Sequence, residues 1–150
     1  DRISYNAGIS ACEKGNRWQQ ALGLLANLNV AKMESDTISH NAELSACGKS
    51  GQWQLALSFL AELQGSKLEL TVTSCNTAIS ACEKGGQWQH AMSLLRELAE
   101  FKLEADTLSY NSAISGCEKC GKWQHASLLL RGVRKVELEP CVVSYNAGIS

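Results

Sequence analysis

The chain reads SYNAGISACEKGNRWQQALGLL from Ser4 to Leu25, and this stretch decides the fold because it returns. Its first half comes back as SHNAELSACGKS from Ser39, SCNTAISACEKG from Ser74 and SYNSAISGCEKC from Ser109, always 35 residues on. The last residues begin it once more, as SYNAGIS from Ser144. Trp18, Trp53, Trp88 and Trp123 keep the same interval, each followed by glutamine and, three positions on, by Ala21, Ala56, Ala91 or Ala126. No insertion or deletion breaks the register, so the copies are built to stack.

Each copy splits into two helical patterns. Tyr5, Ile9 and Cys12 fall at i, i+4 and i+7, one apolar stripe along a helix. Trp18, Ala21, Leu22, Leu25 and Leu28 make a longer stripe of the same kind. Between them stand Gly15-Asn16, Ser50-Gly51, Gly85-Gly86 and Cys120-Gly121. Glycine there takes the positive φ that ends one helix and turns the chain into the next. The second helix is left near Lys32, Lys67 and Lys102, and a short link with Asp36 or Asp106 restarts the first.

A two-helix hairpin of this size cannot bury both stripes alone, so neighbouring hairpins must pack on one another. The expected architecture is all-α, an α-solenoid of stacked two-helix hairpins with a concave surface lined by one helix of each pair. Four full repeats are expected at about 2–36, 37–71, 72–106 and 107–141, giving eight helices. A ninth, unpaired helix is expected from about Val143, in a partial repeat at 142–150. One array would then fill residues 1–150.

Composition agrees with a folded chain: 45% of residues are hydrophobic and 19% charged. No apolar run approaches the roughly 20 residues of a membrane-spanning helix, so no membrane partner is expected. A net charge of −1 and an isoelectric point near 6.3 give no global basic field. The sequence starts and stops in mid-motif without an initiating methionine, and is read as a piece of a longer protein. Of seven cysteines, Cys12, Cys47, Cys82 and Cys117 share one repeat position. Equivalent positions in stacked units lie a repeat apart and seven is odd, which argues against a disulfide framework. Small apolar packing residues in a reducing compartment are the expectation. Cys117-x-x-Cys120 has no second pair at ligand spacing, so no metal or other cofactor is expected.

A second stripe runs beside the apolar one on the first helix. Ile3, Asn6, Ser10 and Lys14 are spaced i, i+3, i+7 and i+11 and share a face. Their equivalents are Ile38, Asn41, Ser45 and Lys49; Thr73, Asn76, Ser80 and Lys84; and Leu108, Asn111, Ser115 and Lys119. The asparagine holds in all five copies, through Asn146, while its neighbour changes from Tyr5 to His40 to Cys75. Solvent is indifferent to which polar group it meets, so a face serving solvent alone would vary more.

The 35-residue period, the ISYN…ISACEKG…W…A-L-x-L-L pattern and the paired helices resemble the pentatricopeptide repeat family over essentially the whole chain. The rival tetratricopeptide repeat has a period of about 34 residues and different tryptophan and glycine placement. The resemblance implies a right-handed superhelix that binds single-stranded RNA, one base per repeat, read by two or three side chains. It implies reading pairs of Asn6 with Asp36, Asn41 with Thr71, Asn76 with Asp106, and Asn111 with Cys141. It implies that Ile3, Ile38, Thr73, Leu108 and Val143 sandwich the bases, and that Lys14, Lys49, Lys84 and Lys119 contact phosphate. Asparagine offers a donor and an acceptor to a pyrimidine edge, and an ionised aspartate accepts from the N3–H of uracil. Uracil is therefore expected at repeats one and three. Thr71 and Cys141 depart from the usual partners, leaving repeats two and four as pyrimidine, for a site U-Y-U-Y that the resemblance implies is read 5′ to 3′ from N to C. Family members mostly act in mitochondria or plastids.

Other roles compete for several of these residues. Asp36, Asp106 and Thr71 each precede a helix and suit its N-cap, whereas Cys141 does not. Glu13, Glu83 and Glu118 precede three of the lysines and soften their field. The tryptophans belong to the second helix's apolar stripe, which argues for packing over base stacking. His40, His90 and His125 form no set with a nucleophile, and Glu43 sits unexplained where other copies have a small residue. The H-x-E…P-C-x-x-C signature of the cytidine deaminases that some family members carry is absent, and no catalysis is expected. The alternative function is a protein-interaction scaffold holding a peptide in the same groove, which the near-neutral charge favours.

Overall fold

A computed structural model describes residues 37–65 and 70–135, together with isolated positions between 4 and 27. Six helices are described whole, in order: α1 (Thr37–Ser50), α2 (Trp53–Gly65), α3 (Val72–Lys84), α4 (Trp88–Glu100), α5 (Thr107–Lys119) and α6 (Trp123–Lys135). No strand occurs among the described residues. Apart from those isolated positions, the expected first repeat lies outside the described residues, as does the expected ninth helix.

The 35-residue period becomes columns of buried side chains. Leu44, Ile79 and Ile114 are fully buried in successive first helices, and so are Cys47, Cys82 and Cys117 one turn on. Ala56, Ala91 and Ala126 do the same in the second helices, followed by Leu63, Leu98 and Val133. Each large aliphatic side chain so buried contributes about 1.5–3 kcal/mol. Because neighbouring repeats share these columns, no hairpin is stable by itself.

The two layers pack differently. α1, α3 and α5 lie side by side, while α2 packs against α1 and α3, and α4 against α3 and α5. The second helices α2 and α4 make no backbone approach to each other. Small residues let the inner layer close up: a Cβ on Gly48 of α1 would sit 2.8 Å from Thr77 Cγ2 of α3. A tightly spaced inner layer and a splayed outer one make the α1–α3–α5 side concave. Across the outer gap reach aromatic pairs, Trp53 to His90 at 5.1 Å between ring centres and Trp88 to His125 at 4.6 Å. Trp53 and Trp88 pack against the buried clusters, as their place in the apolar stripe led one to expect. Trp123, the last of the series, is 57% exposed.

The turns within hairpins carry the expected chemistry at the second residue of each pair. Gly51, Gly86 and Gly121 take φ of 71°, 69° and 66°. Beyond α3, Gly86 N–H donates to the Glu83 carbonyl and Gln87 N–H to that of Cys82, which satisfies two orphan acceptors of the helix end.

Candidate functional site

The concave face carries a cleft of about 320 Å³ built from three consecutive first helices. Ser45, Gly48 and Lys49 come from α1; Thr73, Asn76, Thr77, Ser80 and Lys84 from α3; Leu108 and Ser112 from α5, with Asp106 at its start. Helical spacing alone aligns the α3 residues, and the 35-residue stacking brings the α1 and α5 residues alongside.

Asp106 and Asn76, thirty positions apart in sequence, meet directly. The Asn76 amide Nδ2 donates to both carboxylate oxygens of Asp106, at 3.0 and 3.2 Å. Asp106 is also the N-cap of α5: Oδ1 accepts the Ser109 backbone N–H at 2.9 Å, and the Ser109 hydroxyl accepts the Asp106 N–H at 3.2 Å. The competing capping role and the pairing with Asn76 are thus held by one carboxylate at once. Partial burial pushes the Asp106 carboxyl up. Hydrogen bonds from the Ser109 backbone N–H, from Asn76 and from the Leu108 backbone outweigh it and hold the carboxyl below its ordinary value. It is therefore an ionised, acceptor-only group at neutral pH. Asn76 itself is 6% exposed, so it forms the floor of the cleft rather than projecting from it.

One repeat earlier the same geometry lacks the carboxylate. Thr71 is the N-cap of α3, accepting Ser74 N–H at 3.2 Å. The Ser74 hydroxyl donates to Asn41 Oδ1 at 2.8 Å and lies 2.9 Å from Thr71 Oγ1. Asn41 and Thr71 are linked through serine rather than to each other. Asn111 is half-buried at the equivalent point of α5.

The remaining groups fall around this floor. Thr73 and Leu108 are exposed on either side of Asn76, Leu108 at 59%. The lysines stand at the C-terminal ends of the inner helices, where the helix dipole favours cations. Lys84 Nζ donates to the Lys49 carbonyl at 3.2 Å. Lys119 Nζ instead pairs with Glu83 Oε1 at 2.9 Å, an oxygen that also accepts from Ser115. The difference is legible in the repeat: the position of Glu83 is held by Gly48 one repeat earlier, so Lys84 meets no carboxylate there.

The structure brings together Asn76, Asp106, Thr73, Leu108, Lys84 and Lys49, and sets Asn41, Thr71, Asn111 and Lys119 at equivalent points. Ile3, Asn6, Lys14, Asp36, Cys141, Val143 and the side chain of Ile38 lie outside the described residues. Sequence reasoning passed over the serines. Ser74 and Ser109 are buried and bonded to the asparagine of the preceding repeat. Their signal was in view, since Ser4, Ser39, Ser74, Ser109 and Ser144 hold the same place in all five copies.

The family model described as PPR repeat matches residues 38–68 and 73–103, and that described as pentatricopeptide repeat domain matches 93–150. Curated protein sequences give no significant match. Among solved structures, the pentatricopeptide repeat protein PPR10 in complex with an 18-nucleotide psaJ RNA element superposes with a TM-score of 0.85 at 19% identity. The alignment covers 99% of this chain and 22% of that one. The pentatricopeptide repeat protein PPR10 from maize gives 0.75 at 22% identity, over 99% and 21% of the two chains. The pentatricopeptide repeat domain of Arabidopsis thaliana protein-only RNase P 1, in complex with tRNA, gives 0.81 at 14% identity over 94% and 75%. The chain spans about a fifth of the length of PPR10.

Proposed function

The chain belongs to the pentatricopeptide repeat family, and from that premise we propose that its concave face binds single-stranded RNA, one base per repeat, without catalysis of its own. The observation that carries this reading is the single cleft that gathers Asn76, Asp106, Thr73, Leu108 and Lys84. An amide and an ionised carboxylate form its floor, Thr73 and Leu108 offer surfaces to the faces of a flat ring, and lysines stand at its end. Structural neighbours of the same fold are found in complex with RNA, which supports the choice of ligand.

The Asn76–Asp106 pair favours uracil, because Asp106 Oδ2 presents an acceptor to N3–H and would face the unprotonated N3 of cytosine with a like lone pair. Asn41 with Thr71 has no such acceptor-only partner and is assigned a pyrimidine. By the same rules Asn6 with Asp36 takes uracil and Asn111 with Cys141 a pyrimidine, the U-Y-U-Y order running along one array of four repeats and a partial fifth. Such a module acts by occupancy, shielding or opening an RNA segment during processing or translation. A mitochondrial or plastid site of action follows from family habit alone.

Fluorescence anisotropy with short U/C-rich, A-rich and G-rich RNAs, titrated at several salt concentrations, tests the proposal. The U/C-rich RNA should bind tightest, with affinity falling as salt rises. Lys84→Gln removes the charge while keeping a polar side chain. It should weaken all RNAs by a similar factor and reduce the salt slope by about 0.7–1. Equal affinity for the three compositions, or no salt dependence, would return the groove to the peptide-scaffold reading.

A further inference from the structure

We propose that Ser109, and Ser74 one repeat earlier, are positioning residues that set which way the reading asparagine turns its amide, and so which base each pair accepts. The inference rests on the RNA-binding reading above. It starts from the proton count at Ser109, which is fully buried at the third position of α5. Its hydroxyl has one proton and two acceptors within reach, Asn76 Oδ1 and, at 2.9 Å, Asp106 Oδ1. Asp106 Oδ1 already receives the Ser109 N–H and an Asn76 amide hydrogen. Asn76 Oδ1 has no other donor among the described residues, so the serine proton goes to it.

That bond holds the carbonyl end of the amide inward and commits the nitrogen end to Asp106 and the cleft. Without it, a carbonyl oxygen in a 6% exposed residue loses its donor. The amide then turns to recover one, since a buried unsatisfied acceptor is costly. At Asn41 the dependence is greater. Among the described residues no carboxylate anchors its nitrogen, and Ser74 Oγ–H is its donor at 2.8 Å. With the Ser74 proton spent on Asn41, the 2.9 Å contact to Thr71 requires Thr71 to donate to Ser74. A directed chain then runs from Thr71 through Ser74 to Asn41, each bond polarising the next. Serine is the element common to both sites, whichever residue ends the repeat.

The test is base preference at one position, read in the full chain. RNAs differing only at the base facing Asn76–Asp106 are titrated against the native protein, Ser109→Ala and Ser109→Thr. Alanine leaves the Asp106 cap on the Ser109 N–H in place. It should reduce discrimination between uracil and the other bases at that position by about fivefold, leaving preferences at neighbouring positions unchanged. Threonine, which keeps the hydroxyl, should restore it. Ser74→Ala should erase preference at the preceding base more completely. A uniform loss of affinity for every base in Ser109→Ala would show a structural serine only and overturn the inference, as would unchanged discrimination in both alanine variants. A native protein that discriminates no base overturns the RNA reading itself, and the positioning role with it.

Discussion

Glu43 stands where other repeats place Gly8, Ala78 and Ala113, and it is 5% exposed. Its Oε2 has no hydrogen-bond partner among the described residues. Burial, and secondarily the charge of Glu62, push its carboxyl from 4.5 up to about 7. A folded carboxyl raised above its unfolded value binds protons that the unfolded chain has released, so stability falls as pH rises from about 4.5 to about 7. Asp106 has the opposite sign: its carboxyl is lowered, so its contribution is present at neutral pH and fades on acidification through its folded value. Glu43→Gln should therefore stabilise the protein by about 1–3 kcal/mol at pH 8, with little effect near pH 4.5. Urea unfolding of both proteins at the two pH values checks this, and equal curves at pH 8 would refute a strained carboxylate. The repeat exposed Glu43 as an oddity but not its state, because ionisation depends on what surrounds a side chain. Asn76 and Asp106 were legible as residue types in register. The Ser109 proton that orients them was not, since hydrogen-bond direction is settled only when three residues from two repeats meet.

Helix ends were the most legible elements, and α4 shows where that legibility stops. Gly51, Gly86 and Gly121 occupy left-handed positions after inner helices, as their glycines announced. After α4 the same closure forms on Lys102, at φ 56°. Lys102 N–H donates to the Ala99 carbonyl at 3.1 Å and Leu103 N–H to that of Leu98 at 2.9 Å. These are the two bonds that Gly86 and Gln87 make beyond α3. The motif is enforced by Leu103 packing against the buried cluster, so the chain accepts a residue that the conformation disfavours. Nothing in the lysine's identity reveals this; only its distance from Leu98 and Leu103 does. Lys102→Gly should relieve the strain and raise stability by about 0.5–1 kcal/mol, the unfolded-state entropy of glycine offsetting part of the gain. Thermal or urea unfolding reads it, and a loss of stability would mean that the lysine side chain contributes more than its backbone costs.

Across the whole molecule, stacked repeats make stability a sum of local terms and nearest-neighbour contacts, so different repeats need not open together. The cysteine column offers a gauge of that. Cys47, Cys82 and Cys117 are free, fully buried thiols at one register of successive inner helices. Burial pushes each up to about 11, aided by Glu43 at Cys47 and by Cys120 at Cys117. The thiolate is the reactive species, so a folded repeat protects its cysteine both by access and by protonation. Cys120, half-buried at the end of α5, is held by a weak contact to the Gly86 carbonyl at 3.3 Å and should be alkylated before the other described cysteines. Reaction of the column thiols at pH 8 then requires opening of the helix that carries each. Among the described helices, α3, clasped by α1 on one side and α5 on the other and packed on both α2 and α4, has the most neighbours to lose. Cys82 should be modified more slowly than Cys117, by roughly tenfold if the extra interface adds about 1.4 kcal/mol to the opening cost. Timed iodoacetamide labelling, read site by site by mass spectrometry, measures this order. A single shared rate for Cys47, Cys82 and Cys117 would instead mean that the array opens as one unit, and that contacts between repeats outweigh every difference within them.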